Sequence, residues 1–330
     1  MGIRPHDTNE KDTEVEHDWG SRDERWAGIR SEVVAMQGTD VHLLRADGPA
    51  DGPTHLLVHG LGGSGTNWLE VIAGLAATGP VVAPDLPGFG RTEPPRPGAS
   101  RIRANLGFLK AFIGHVGAQE LVVHGNSMGG MLATLLAADR PDVVRELILV
   151  DPALPGPRNQ LNRLTKQTIR NFAPFAVPGL GRRVVGKMYA ENTAEQLFAE
   201  NQAFVHADPT RVRRALREVG LENTGYGQRT PWRLDGLVSA AESLITALVG
   251  PGGLNRAVDA VEARTLLLWG DQDQLVGRPV IDAALARRPD WDLHVFPGVG
   301  HVPMVEAAGD YLKVVTGWLG HDREARPEAV

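Results

Sequence analysis

The stretch "LVVHGNSMGGMLATLL", Leu121–Leu136, decides how the rest of the chain is read. Three apolar residues run into His124-Gly125-Asn126-Ser127-Met128-Gly129-Gly130, and a helical apolar run follows at once. Gly125-Asn126-Ser127-Met128-Gly129 fits G-x-S-x-G. The pattern is common by chance, but it is informative when a strand precedes it and a helix follows. A serine at such a corner is held in a strained backbone conformation. The flanking glycines remove side chains that would collide with the neighbouring strand and helix. Its hydroxyl projects from the carboxyl end of the sheet, where open α/β sheets bind ligands. Met128 then offers its backbone N–H at the helix N-terminus, where positive partial charge gathers.

Short apolar runs ending in turn residues recur on both sides. "EVVAMQ" and "VHLLRA" flank Gly38-Thr39-Asp40 and read as an antiparallel pair. "THLLVHG", "VVAPDLPGFG", "ELVVHG", "ELILVDP", "TLLLWGDQD" and "WDLHVFPG" read as further strands. Between them, "RANLGFLKAFIGHVG" puts Leu106, Leu109, Phe112, Ile113 and Val116 on one helical face. The helix begun at "MLATLLAADRP" should stop before Pro141. Strands alternating with helices predict a mostly parallel, doubly wound sheet covered on both faces.

The alternation breaks between about Asp151 and Ala263, too long a span for a simple crossover. It opens with Pro152, Pro155, Pro157, Pro174 and Pro178 and carries Phe172, Phe175, Met188, Tyr189, Phe204 and Trp232. The expected organisation is therefore a polar tail at 1–25, a core at 26–153 and 251–330, and a helical cap with its returning helix at 154–250. Phe172, Phe175 and Trp232 either line a substrate pocket or form the cap's own core.

Composition narrows the function. The chain has 330 residues, 42% hydrophobic, with a formal net charge of −6 and its charges mixed. No basic stripe argues for nucleic acid. The absence of cysteine excludes disulfides, thiolate catalysis and cysteine-ligated metal. No spaced His/Asp cluster suggests a metal. No apolar run reaches the roughly 18 residues of a membrane span, and the polar N-terminus lacks the apolar core of a secretory signal. It also lacks the Ser or Thr of a myristoylation pattern, since His6 stands there. The expectation is a soluble cytoplasmic protein.

A serine hydroxyl needs a base, and the base needs an orienting acid. Downstream, "LLLWGDQDQLV" puts Asp271 and Asp273 just after a strand, and "FPGVGHVPMVE" puts His301 in a loop after the last one. The order Ser, Asp, His is the one expected for a strand–turn–helix nucleophile.

Together, "HGLGGSGTNW", "PDLPGFGRT", "GNSMGG", "WGDQDQLV" and "GHVPMVE" resemble the α/β-hydrolase superfamily over roughly residues 30 to 320. The resemblance implies an α/β-hydrolase fold with an inserted helical cap and a Ser127–His301–Asp273 triad. Gly270, Asp273 and Val276 fit the superfamily's G-x-x-D-x-x-V, whereas Asp271 reads as a solvated or turn-capping residue. The resemblance also implies an oxyanion hole from the N–H groups of Leu61 and Met128. Glycines at 60, 62, 63 and 65 let the first of these loops approach a substrate oxygen. His59 reads as a support for that loop, His124 as structural, and Trp68 and Trp269 as packing residues. His115, His206 and His294 show no partner pattern. "PDLPGFG" reads as shaping a loop.

The implied activity is hydrolysis of a carboxylic ester with an apolar acyl or alcohol group, without metal, nucleotide or flavin. Epoxide hydrolysis and dehalogenation are disfavoured, because those relatives use an aspartate nucleophile. "GNSMGG" also resembles the nucleophile motif of meta-cleavage product hydrolases, which break carbon–carbon bonds. Those usually carry H-G-x-G-P-G-A and a tryptophan after the catalytic histidine, where this chain has "HGLGGSG" and Val302. Thioester hydrolysis, acyl transfer and perhydrolysis use the same triad, and a non-catalytic ligand-binding member of the fold is a further alternative. Oligomeric state does not follow from the sequence.

Overall fold

Adjacent residues of each central strand point into different apolar layers, as a period-two backbone requires. Leu56 and Val58, Leu121 and Val123, Leu147 and Leu149, and Leu267 and Trp269 enter one buried cluster. Their neighbours Leu57, Val122, Ile148, Val150, Leu266 and Leu268 enter the other. A strand apolar on both sides can sit only in the middle of a three-layer sandwich, and the computed structural model has that architecture. It describes residues 15–157, 172–177 and 179–325. Pro178 and cap residues 158–171 lie outside the described residues.

The strands are β1 (Val15–Asp18), β2 (Ile29–Met36), β3 (Thr39–Ala46), β4 (Thr54–Val58), β5 (Val81–Pro84), β6 (Leu121–Asn126), β7 (Val144–Val150), β8 (Arg264–Gly270) and β9 (Asp292–Phe296). They form one sheet in the order β1-β2-β3-β5-β4-β6-β7-β8-β9. β1, β2, β3 and β5 pair antiparallel in sequence, and every pair from β5 to β9 is parallel. The helices are α1 (Leu69–Leu75), α2 (Ile102–Val116), α3 (Met128–Asp139), α4 (Leu180–Glu191), α5 (Ala194–Val205), α6 (Arg214–Arg229), α7 (Pro231–Val249), α8 (Gly253–Ala260), α9 (Arg278–Arg287), α10 (Pro303–Glu306) and α11 (Ala308–Ala325). Residues of α2, α3, α8 and α9 enter the first cluster, and residues of α1 and α11 enter the second. All six strands read after the first hairpin are present, and α3 ends at Asp139, ahead of Pro141. No single helix among the described residues is long and apolar enough to cross a membrane.

One expectation changes. The tail does not extend to residue 25, because β1 pairs antiparallel with β2 and Trp19 and Trp26 are buried in the core. "VEHD" has no apolar run to announce it; backbone pairing with a sheet edge and the two tryptophans that follow hold it in place. The inserted cap also contributes to the core. Val212, with Leu216 and Val219 of α6, joins the cluster of Trp26, Trp68 and Tyr311. Ala240 and Leu244 of α7 join the cluster of α2 and α3. Arg213 also bonds Glu70 of α1 at 3.1 and 3.2 Å and pairs with Asp23.

A buried polar chain crosses the second cluster. Thr78 Oγ1 donates to the Leu75 carbonyl, so it accepts from His55 Nε2 at 2.9 Å. His55 Nδ1 must then accept from His124 Nε2 (3.0 Å), and His124 Nδ1 must accept from the Tyr311 hydroxyl (2.7 Å). One set of tautomers satisfies every link. Burial, reinforced by His55, holds the His124 pKa well below the ordinary 6.5, and burial raises that of Tyr311.

Removing the Tyr311 hydroxyl orphans a buried acceptor. Tyr311→Phe should therefore cost about 1–3 kcal/mol, read as a lower urea midpoint at unchanged m. Tyr226→Phe, at an exposed ring, serves as the control. Because His124 is neutral in the fold and protonates near pH 6.5 when unfolded, its contribution is present above that pH. It is lost as the pH falls toward the folded value. Wild-type stability should accordingly fall on acidification below pH 6.5, and an equal midpoint for Tyr311→Phe and Tyr226→Phe would contradict the assignment.

Candidate active site

Ser127 sits between β6 and α3 with φ 56° and ψ −117°. Gln37, Ser127 and Asp151 are the non-glycine residues with positive φ among those described. A serine adopts this conformation only where its surroundings fix it. Its N–H donates to the Val150 carbonyl at 3.0 Å, and its carbonyl accepts from Ala153 N at 2.9 Å. The sharp reversal presses α3 onto the sheet. A Cβ on Gly129 would lie 2.1 Å from the Val58 carbonyl oxygen, and one on Gly125 would lie 2.4 Å from the Gly129 oxygen. Both flanking glycines are thus required by contact.

His301 follows β9 on a loop that several bonds fix. Its N–H donates to the Val205 carbonyl at 2.8 Å, and its carbonyl accepts from Asn126 Nδ2 at 3.0 Å. The same Asn126 amide reaches the Val150 carbonyl at 3.1 Å, so the residue before the serine ties β7 to the histidine loop. Glu306 is buried and accepts N–H bonds from Gly300 (2.9 Å), Ala207 (3.1 Å) and Asp208 (2.9 Å). It binds the same loop to the cap.

The acid bonded to the imidazole is Asp273. Its Oδ2 accepts from His301 Nδ1 at 2.7 Å, and its Oδ1 accepts from Leu275 N at 2.7 Å. Asp271 faces outward and accepts from Gly298 N at 2.7 Å, joining the turns after β8 and β9. With Nδ1–H given to Asp273, His301 Nε2 is the acceptor. Among the described residues neither it nor the Ser127 hydroxyl has a hydrogen-bond partner, so both are uncommitted.

The Leu61 loop lies against the serine: a Cβ on Gly60 would be 3.1 Å from Ser127 Cβ. Met128 opens α3, so its N–H has no intrahelical acceptor. His59 accepts from Leu86 N at Nε2 (3.0 Å) and therefore donates from Nδ1 to the Gly60 carbonyl (2.8 Å). Burial lowers its pKa and keeps it neutral in that role. Asp85 of "PDLPGFG" accepts from Gly65 N (2.7 Å), Arg91 N (2.8 Å) and His42 Nδ1 (2.8 Å). Burial pushes the Asp85 carboxyl up, but His42, His59 and the Gly65 N–H together pull it down, and the pKa falls below the ordinary value. That stretch fixes two loops.

The cap aromatics divide. The Phe172 and Phe175 rings pack on each other with centroids 6.5 Å apart, and Phe175 lies on Gly181 of α4. That contact belongs to the cap's own packing. Trp232 is half-buried in the first turn of α7. Two residues to which the sequence reading gave no role reach the loops of Gly62 and His301. Leu237 of α7 comes within 3.7 Å of where a Cβ on Gly62 would stand. His206 is buried and close enough to His301 for the two to interact. A third, Asp151, is buried at the end of β7, and one of its carboxylate oxygens lies within 4.8 Å of ligand atoms of Asp273 and His301. Such a trio could in principle hold a cation, but the Asp273–His301 hydrogen bond already uses the facing atoms. In sequence, Asp151-Pro152 reads only as a turn.

A family model described as "Alpha/beta hydrolase family" matches residues 56–314. The chain belongs to the α/β-hydrolase family. It is 30% identical over 298 residues to the dihydrolipoyllysine-residue acetyltransferase component of an acetoin cleaving system from Cupriavidus necator, covering 89% of this chain and 70% of that one. It is 26% identical over 300 residues to a 2-hydroxy-6-oxononadienedioate/2-hydroxy-6-oxononatrienedioate hydrolase from Cupriavidus pinatubonensis, covering 89% and 96%. A crystal structure of a bacterial membrane phospholipase A superposes with a TM-score of 0.71 at 26% identity, covering 90% of this chain and 87% of that one.

If Asp273 orients His301, Asp273→Asn should lower kcat by about 10⁴, the loss that follows when a triad aspartate becomes asparagine. Asp271→Asn, which touches only a surface turn, should cost less than about tenfold by comparison. Steady-state kinetics on the two purified variants check the ranking, and the opposite order would assign the acid to Asp271.

Proposed function

We propose that this α/β hydrolase is a serine hydrolase that cleaves a carboxylic ester through an acyl-enzyme. The observation that carries the reading is the strained Ser127, next in sequence to the Asn126 that bonds the His301 carbonyl, together with a His301 whose Nδ1 is bonded to the buried carboxylate of Asp273. In the first half-reaction His301 Nε2 takes the Ser127 proton as Oγ attacks the carbonyl carbon. The Leu61 and Met128 N–H groups stabilise the tetrahedral oxyanion, and Asp273 stabilises the imidazolium. His301 then protonates the departing alcohol. Water repeats the cycle on the acyl-enzyme, returning the serine. This chemistry requires no metal or organic cofactor, and the substrate is a small molecule taken from an aqueous compartment, which we place in the cytoplasm.

Carbon–carbon hydrolysis is the second reading, favoured by the likeness to the 2-hydroxy-6-oxononadienedioate hydrolases. Against it, Val302, where those enzymes usually place tryptophan, is buried in the second apolar cluster. Turnover of p-nitrophenyl esters and of a vinylogous diketone by the same preparation separates the two. A serine-directed fluorophosphonate should label the protein once, at Ser127. Unimpaired ester turnover by Ser127→Ala overturns both readings.

Substrate size is set where α7 meets the oxyanion loop. Each additional buried methylene should raise kcat/KM about fourfold, from about 0.8 kcal/mol of burial, until the site is filled. Leu237→Ala should move the preferred acyl chain to greater length without changing labelling stoichiometry. Phe175→Ala, in the cap's own packing, should lower stability more than it moves that profile. An unchanged profile for Leu237→Ala together with a shifted one for Phe172, Phe175 or Trp232 variants would place the pocket on the cap aromatics instead.

A further inference from the structure

Asp151 is a fully buried carboxyl group that the hydrolytic cycle does not use. It closes β7 with φ 45°, in the left-handed region that an aspartate adopts at a cost. Its N–H donates to the Leu268 carbonyl at 2.9 Å, and its Oδ1 accepts from Gly270 N at 3.0 Å. Oδ2 is buried with no hydrogen-bond partner among the described residues. Among the described residues no cation neutralises the group, and its charged neighbour is the carboxylate of Asp273, whose side chain is also fully buried. A carboxylate oxygen of each and a ring nitrogen of His301 lie within 4.8 Å of one another.

We propose that Asp151 and Asp273 share one proton behind His301, with Asp151 neutral and acting as a positioning residue that donates from Oδ2 toward Asp273. The geometry leaves few alternatives. Asp273 is already the acceptor for Leu275 N and His301 Nδ1, so it is the ionised member. Among the described residues Asp151 receives a single N–H and has nothing else to stabilise a charge. Burial, and then the Asp273 charge, push its pKa well above the ordinary carboxyl range. Among the described residues the remaining titratable groups around the pair are His206, which faces His301, and Glu306, which faces His206 and lies 3.5 Å from Arg211. Asp271 is exposed and turned to Gly298. None supplies Asp151 with a positive partner. A neutral donor at this place holds Asp273 in register with the imidazole without adding a second negative charge. A second charge there would stabilise imidazolium and disable the base at neutral pH.

The inference rests on the triad reading above, and its test uses the rate of fluorophosphonate inactivation against pH, which does not depend on the natural substrate. Asp151→Asn keeps shape, neutrality and an N–H donor. It should react within about threefold of wild type, with the acidic limb of its pH profile unmoved. Asp151→Leu is neutral but cannot donate, and should react at least about tenfold more slowly at unchanged KM for an ester substrate. If Asp151 is instead ionised, removing its charge in Asp151→Asn moves the acidic limb down by about one to three pH units, and the proposal fails. It fails equally if the Leu and Asn variants react alike. Should neither variant fold, the infrared spectrum of the wild type decides. Among the described residues the other buried acids outside the pair have partners: Asp85 and Glu306 each accept several N–H bonds, and Glu32 lies 3.9 Å from Arg30 and Arg45. A protonated-carboxyl stretch persisting at about pH 8, far above ordinary carboxyl titration, is therefore expected from Asp151, and its absence overturns the proposal. If the wild type is not labelled at all, the catalytic reading falls while the infrared band still decides the carboxyl pair.

Discussion

The backbone reversal at Ser127 is the constraint on which the rest of the structure depends. A left-handed serine between a parallel strand and a buried helix is tolerable only if both of its peptide groups are bonded and nothing bulky flanks it. Val150 and Ala153 supply the bonds, so β7 and the chain beyond it must lie where they do. Gly125 and Gly129 supply the space, and that space brings α3 onto β4 closely enough for a helix oxygen and a strand oxygen to crowd the missing side chains. Strain of this kind is sustained by surrounding packing, and here the packing is an α3 buried on nearly every side.

The same few residues set the neighbouring loops. Asn126 bonds Val150 and His301 with one amide, so the strand that leads into the serine also fixes the loop that carries His301. Glu306 and the Val205 carbonyl then bind that loop to the cap. A change in cap position therefore reaches His301 both through these hydrogen bonds and through the apolar cluster that Val212, Leu216 and Val219 share with Val299 and Val302. On the other side, His59 ties the Gly60 loop to Leu86, and Asp85 anchors both Gly65 and Arg91. The residues proposed as catalytic lie on short loops that these bonds hold in place, and loops so held would limit the reorganisation that a developing oxyanion demands.

Much of this was legible because strands buried on two faces must be written as apolar runs, and because the turns that end them need glycine and proline. Ser127, Asp273 and His301 each follow such a run, so their places at the carboxyl end of the sheet follow from the strand assignments. β1 was not legible: its four residues are mostly polar, and it depends on tertiary pairing with β2. Asp151 was hidden for a different reason. Aspartate before proline is ordinary turn chemistry, and only the adjacency of β7 and β8 shows that its carboxyl faces Asp273. Leu237 was equally hidden, because one leucine in an apolar helix carries no mark of which face meets the oxyanion loop. The cap's share in the core, through Leu216 and Val219, is likewise a matter of helix orientation that period alone leaves open.

The account stands or falls on a covalent intermediate at the elbow. Mixing the enzyme with excess p-nitrophenyl acetate, quenching in acid within the first turnovers and mapping peptides by mass should find one acetyl group, on Ser127. It should appear with a burst of p-nitrophenol close to one equivalent per chain. An acetyl group on another residue, or ester turnover with a burst but no adduct at Ser127, would contradict it.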